Sequence, residues 1–271
     1  MLKKVKELVR GGTPAKGTQG EAPTTTPEPA KLSNLEYNKK IWDGYAKWWT
    51  KEGVNLEDKS VSAADKDEYL KYLGDEWGVA KDVDQIVEQY IYPYISPQMV
   101  AGEIGTGGGR VAAKVVDRVQ TFYCFDISVE MLNKCQEALA GHDNVKYVLL
   151  EDCRFGSDLN NKFGFVYAFD VFVHLDLHNM WKYLKGYNKI LKEGGHAFVH
   201  TANLKAPGGW ERFAAQEAYA VEGHYFMCPE MIEILAQKAG FEVVKTSTPE
   251  PSNFYLNRDY LAVLKKVRSL D

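Results

Sequence analysis

The sequence predicts an α/β protein, a doubly wound and mainly parallel sheet preceded by a helical segment. Three observations predict it. The run Val100-Ala-Gly-Glu-Ile-Gly-Thr-Gly-Gly-Gly-Arg-Val-Ala-Ala113 reads as a strand, a glycine loop and the start of a helix. Thr121-Phe-Tyr-Cys-Phe-Asp126 is a continuous apolar run closed by an acid, the pattern of a parallel strand buried on both faces. Downstream, further apolar runs alternate with helical patterns, as βαβ units require.

Composition narrows the class. The 271 residues, 45% of them hydrophobic, suffice for one full core and an appendage. A net charge of -4, with no long basic block, argues against a nucleic-acid partner. Cys124, Cys135, Cys153 and Cys228 form no Cys-x-x-Cys spacing and pair with no spaced histidines, so they are expected to be reduced core thiols and not zinc ligands. No apolar run is long enough for a membrane span, and Met1–Arg10 lacks a signal-peptide core. The expected location is therefore cytoplasmic.

Residues 1–33 are expected to be a tail and linker, because Gly11 to Ala30 is rich in Gly, Pro, Thr and Ala and has little to bury. Residues 34–96 are expected to form a helical cap. Tyr37, Ile41, Trp42, Tyr45, Trp48 and Trp49 recur at helical spacing. A second helix is expected from Ser62 to Leu73 and a third from Asp82 to Tyr94. The core then spans 97–271, with an insertion at about 203–228.

Within that core, Val145–Leu150 is the third strand. Phe163 to Asp170 is the fourth, with an exit running to Asp176. A helix from Met180 to Leu191 should stop at Lys192-Glu-Gly-Gly195, before a fifth strand at His196–Thr201. The insertion should hold a short helix from Glu211 to Ala220. Pro229 opens the next helix and Gly240 ends it. Phe241–Thr246 and the run from Asp259 close the sheet as an antiparallel pair.

The glycine loop carries the chemistry. Gly105, Gly107, Gly108 and Gly109 let the backbone turn sharply and let a ligand approach the main chain. A dinucleotide fingerprint needs a glycine at the sixth position, where Arg110 stands. No Gly-Lys-Ser/Thr follows, so a triphosphate-binding loop is out. Glu103, at the strand end, would repel a pyrophosphate and attract a cation. A phosphate-free nucleoside bearing a sulfonium and an ammonium suits that field.

Glu103-Ile-Gly105-Thr-Gly107-Gly-Gly109 resembles the first motif of the class I S-adenosylmethionine-dependent methyltransferases. The resemblance covers roughly Met99 to Val267. It implies a Rossmann-like, doubly wound, seven-stranded sheet whose last strand is antiparallel, with the N-terminal helices as a cap. It also implies S-adenosylmethionine as cofactor and S-adenosylhomocysteine as product.

Asp126, about twenty residues after Gly105, sits where a carboxylate takes a ribose diol. The resemblance makes Glu103, Gly105, Thr106, Gly107, Gly109, Arg110, Asp126, Ile127, Met131, Asp152, Cys153 and Asp170 cofactor-binding candidates, with Asp152 meeting the adenine amino group. An alcohol acceptor must lose a proton as it is methylated, so a base with a pKa near neutrality is sought. His174, at the exit of the fourth strand, is the first catalytic candidate and His224 the second. His174, His200, Trp210, His224 and Tyr225 are the acceptor-binding candidates.

The expected reaction is O-methylation of a small-molecule or carbohydrate-like (glycan) acceptor with a histidine general base and no metal. The alternatives are N-methylation of a small molecule or a non-catalytic binding protein that keeps the fold. Arg110 and Glu103 speak against a nicotinamide-dependent reductase.

Overall fold

The computed structural model describes residues 32–48, 80–217 and 224–270. The expected tail and linker, apart from Leu32 and Ser33, and the expected Ser62–Leu73 helix lie outside them. Strands β1 (Val100–Ile104), β2 (Thr121–Asp126), β3 (Val145–Leu149), β4 (Phe163–Ala168), β5 (Leu191–Ala202), β6 (Phe241–Thr246) and β7 (Asp259–Lys266) form one seven-stranded sheet. Its order is β3-β2-β1-β4-β5-β7-β6. Pairing is parallel from β3 through β5, and β7 runs antiparallel to both β5 and β6. The strand order reverses between β1 and β4, which opens a crevice at their carboxyl ends.

Burial follows position in the sheet. Central β2 and β4 are buried along nearly their whole length, whereas edge strands β3 and β6 keep exposed positions. One face of the sheet packs Phe125, Phe163 and Val166 under Phe172 and Tyr187. The other packs Phe122, Phe165 and Phe198 under Ile86, Val87 and Tyr90 of α2 (Ala80–Tyr90), with Tyr90 stacked on Phe198 at 5.5 Å.

Several boundaries differ from expectation. The helix expected over Asp82–Tyr94 is α2 plus a separate 3-10 turn at Tyr92–Tyr94, because Pro93 cannot continue the α-helical hydrogen bonding. The helix after the glycine loop is one turn, α3 (Ala112–Val115), running into a 3-10 turn at Val116–Arg118. Strand β5 begins at Leu191 and not at His196. Leu191 pairs with Phe163, and Gly194, at φ 72°, absorbs the irregularity.

Helix α4 (Val129–Ala138) is capped as anticipated by Ser128, whose Oγ accepts the Met131 amide at 3.1 Å. Helix α5 (Leu177–Ile190) is capped by Asp176. In the insertion, α6 spans Pro207–Ala215, not 211–220, since Pro207 is pre-set for the first helical turn. Helices α7 (Pro229–Lys238) and α8 (Phe254–Arg258) complete the core. Among the described residues, no helix is long and apolar enough to cross a membrane.

Helix α1 (Asn34–Trp48) lies over the crevice and is fastened by polar latches. Asn34 and Asn38 both donate Nδ2–H to the His174 carbonyl, at 3.0 and 3.1 Å. At its other end the Ser128 hydroxyl donates to Asp43 at 2.5 Å, and Lys47 pairs with Glu130 at 3.4 Å.

Candidate active site

The crevice holds about 980 Å³ of empty space, part of it open solvent. Its floor is the glycine loop after β1, its sides are the tips of β2 and β4, and its roof is α1. Glu103, Gly105, Thr106, Gly107, Arg110, Asp126, Ile127, Met131, Asp170 and His174 all line it. Sequence reasoning therefore assembles about half of the wall.

The glycines divide the work. A Cβ on Gly105 would lie 2.3 Å from Val171 Cγ2, and φ there is 70°, so this glycine lets the β1 and β4 tips approach. Gly107, at φ 54°, has nothing within 4 Å of a Cβ and faces open space. Gly109 packs toward Cys135 Sγ and is not in the wall; Gly108 lines the cavity instead. Gly105→Ala is thus expected to lower folding stability by about 2–3 kcal/mol, from positive φ plus the clash. Gly107→Ala should lose only about 1 kcal/mol while weakening cofactor binding. Urea unfolding beside a cofactor titration separates the two effects; equal unfolding midpoints would refute the division.

Glu103 is 2% exposed and pairs across the sheet with Tyr167, whose hydroxyl donates to Oε2 at 3.1 Å. Thr106 Oγ1 donates at 3.2 Å. Burial raises the carboxyl to about 8, against the pull of these two bonds and of the Arg110 charge. Asp126 is raised to about 6 by burial, offset by the amides of Ser128 and Gly107, each at 2.9 Å. Those amides use one lone pair on each oxygen, and a carboxylate keeps others for a ribose diol.

Asp170 sits at the β4 exit with φ 57°, a left-handed conformation rare outside glycine. Three groups hold it there. Arg110 Nη2 bonds its Oδ2 at 3.0 Å, its own amide donates to His200 Nδ1 at 3.0 Å, and Arg258 lies 4.0 Å from Oδ1. His200 is fully buried. Because its Nδ1 accepts, Nε2 carries the proton and donates to Asp259 Oδ2 at 2.8 Å. Burial alone would raise the Asp259 carboxyl, but Arg258 and His200 hold it well below the usual range.

His200 is therefore not an acceptor contact, as the sequence suggested. It props Asp170 from behind the wall. Other candidates also fall outside the cavity. Asp152 turns to Arg154, accepting its backbone amide at 2.7 Å and its Nε–H at 2.6 Å. Cys153 is buried, 3.8 Å from Asn179 Oδ1, and burial raises its thiol to about 11. Trp210 is 56% exposed on α6. Tyr225 lines no wall either, but its amide donates to the Val173 carbonyl at 2.8 Å and ties the insertion to the His174 turn.

His174 stands on the 3-10 turn after β4, with Trp42 of α1 at 5.3 Å on one side and His224 at 5.7 Å on another. His224 is 6% exposed and does not border the cavity directly. Burial and the Arg258 charge lower its pKa well below the ordinary histidine value, so its ring is neutral. Leu35, Asn38, Leu150, Val171, Leu175 and Tyr183 also line the cavity, unassigned from sequence. Only the helical periodicity around Trp42 hinted at the first two. Among the described residues, no group of three or more His, Cys, Asp or Glu side chains is arranged to hold a metal.

Residues 102–195 match a family model described as a methyltransferase domain. No curated protein matches the chain. Among solved structures, magnesium protoporphyrin IX methyltransferase from Synechocystis, crystallised with S-adenosylhomocysteine, superposes with a TM-score of 0.59 at 15% identity. That likeness covers 86% of this chain and 100% of that one. The PH0226 protein from Pyrococcus horikoshii gives 0.55 at 19% identity, over 69% and 90% of the two chains. The [4+2]-cyclase SpnF gives 0.54 at 14%, over 69% and 80%. The domain match over residues 102–195, the strand order and the acid-flanked glycine loop support a class I S-adenosylmethionine-dependent methyltransferase.

Proposed function

We propose that this enzyme O-methylates a hydroxyl of a small-molecule or carbohydrate-like acceptor, with His174 as general base. The observation that carries the reading is that one cavity joins Glu103, the glycine loop and Asp126 to His174. The residues fit the cofactor. Buried Glu103, whose carboxyl burial raises to about 8, gives up its proton when a cation binds, open space lies over Gly107, and Asp126 keeps free lone pairs for a diol. Ile127, Met131 and Leu150 offer an apolar wall for adenine. Bound S-adenosylmethionine supplies a methyl group on a good leaving sulfur.

The chain supplies alignment and a proton acceptor. Trp42 and Tyr45 line the roof of the cavity, while the Asn34 and Asn38 latches hold that roof against the His174 turn. Alignment of an oxygen with the methyl–sulfur axis accounts for a large share of the acceleration. The imidazole of His174 takes the hydroxyl proton as the new C–O bond forms. The cyclase among the similar structures is a reminder that this fold does not dictate one reaction. Titration calorimetry with S-adenosylmethionine, followed by an acceptor screen for S-adenosylhomocysteine release, tests the reading. Binding at micromolar cofactor with release only for hydroxyl acceptors is expected; release with amines alone would overturn O-methylation.

A further inference from the structure

The cavity changes character along helix α1. The C-terminal part of α1 stands over the ribose end, because Asp43 accepts the Ser128 hydroxyl and the Ser128 amide bonds Asp126. Its N-terminal part stands over the His174 turn, because Asn34 and Asn38 bond the His174 carbonyl. Apart from His174, the ionisable acids and bases of the described lining are Glu103, Arg110, Asp126 and Asp170, all on the glycine loop or the tips of β1, β2 and β4. At the other end Leu35, Trp42 and Leu175 form the wall beside His174, with Trp42 edge-on to the imidazole at 5.3 Å.

Val171, whose side chain lies against the position of a Gly105 Cβ, closes the seam between the two ends with a further apolar surface. Asn38 also lines the His174 end, but its amide is spoken for. Nδ2 donates to the Asn34 carbonyl at 2.9 Å and to the His174 carbonyl at 3.1 Å, which uses both N–H groups. A polyol seated here would bring hydroxyls that this wall cannot match, and each one left without a partner is costly. An apolar body loses nothing in the same place and gains by leaving water.

Resting on the methyl-transfer reading above, we infer that the acceptor is an apolar molecule bearing a single hydroxyl, selected by Leu35, Trp42 and Leu175. The hydroxyl faces the His174 imidazole and the apolar body lies against these three side chains. In the reaction the C–S bond breaks with its electron pair left on sulfur, the new C–O bond forms, and the hydroxyl proton passes to His174. A sugar, with hydroxyls around its whole ring, is the acceptor that this wall rejects.

The test uses the full chain and three probes. 4-Propylphenol carries one hydroxyl, 4-(3-hydroxypropyl)phenol adds a second at the far end of the same body, and methyl glucoside is a polyol. Turnover is read as S-adenosylhomocysteine release at saturating S-adenosylmethionine, and binding by calorimetry with S-adenosylhomocysteine in place. 4-Propylphenol is expected to exceed the hydroxypropyl compound about tenfold in kcat/KM and in affinity, the scale of one unmatched hydroxyl, and methyl glucoside should neither bind nor react. Leu35→Gln places an amide on the wall and should narrow the gap between the two phenols at least about threefold, with cofactor Kd unchanged. Equal values for the two phenols, binding of the glucoside, no binding of either phenol, or an unchanged gap in Leu35→Gln overturns the inference while cofactor binding stands. Failure to bind S-adenosylmethionine, or phenols that bind and are never methylated, would instead overturn the reading on which it rests.

Discussion

His174→Ala is expected to lower kcat by about 10²–10⁴-fold, the range for loss of a general base, while cofactor Kd moves by less than about threefold. The structure makes this substitution a clean probe. The latch from α1 uses the His174 carbonyl, not its ring, so Asn34 and Asn38 keep their partner when the imidazole is removed. The ring itself is half-buried and edge-on to Trp42 and His224, so its loss leaves a small gap in the wall without disturbing the sheet. The acidic limb of the pH–rate profile should vanish with it, because that limb reports protonation of the base. Unchanged kcat, or a kcat loss matched by an equal loss of cofactor affinity, would remove His174 from the role. His224, 5.7 Å away and neutral, would then be the next group to test.

What was legible in the sequence is the part written locally. Buried parallel strands announce themselves as apolar runs, and an acid at the tip of such a run points out of the sheet's carboxyl end. Glu103 and Asp126 were placed that way, and both line the cavity. Interactions that join distant segments left no local signature. His200 looked like an acceptor contact because it stands near the end of β5. Its partner Asp259 comes 59 residues later and turns it into a prop for Asp170. The α1 latch joins residues 140 positions apart through a backbone carbonyl, a group that every residue has. Asp152 illustrates the opposite limit: an acid after a strand was the right type in the right place, but a local bond to Arg154 takes it out of the cavity.

The second large effect concerns Glu103→Gln, which should strengthen the fold and weaken cofactor binding together. In the free protein the carboxyl titrates near 8, far above its usual 4.5, because it is buried. Between those two pH values the folded state binds more protons than the unfolded chain, so stability falls as pH rises through the window. Glutamine carries no charge to bury and keeps an oxygen for the Tyr167 and Thr106 hydroxyls. At pH 8.5 the variant should therefore be more stable by an amount of the order of 3 kcal/mol, and the difference should shrink toward zero near pH 4.5. Cofactor affinity should move the other way. A cationic ligand recruits the ionised form, so wild-type affinity should climb from pH 6 to about 8 and then level as deprotonation completes. Loss of that charge should weaken binding at least about thirtyfold, near 2 kcal/mol, and flatten this part of the pH dependence. Calorimetric titration and thermal unfolding of both proteins across this range settle it. A stabilised variant with undiminished cofactor affinity would mean that Glu103 orders the loop through Thr106 without meeting the positive charge.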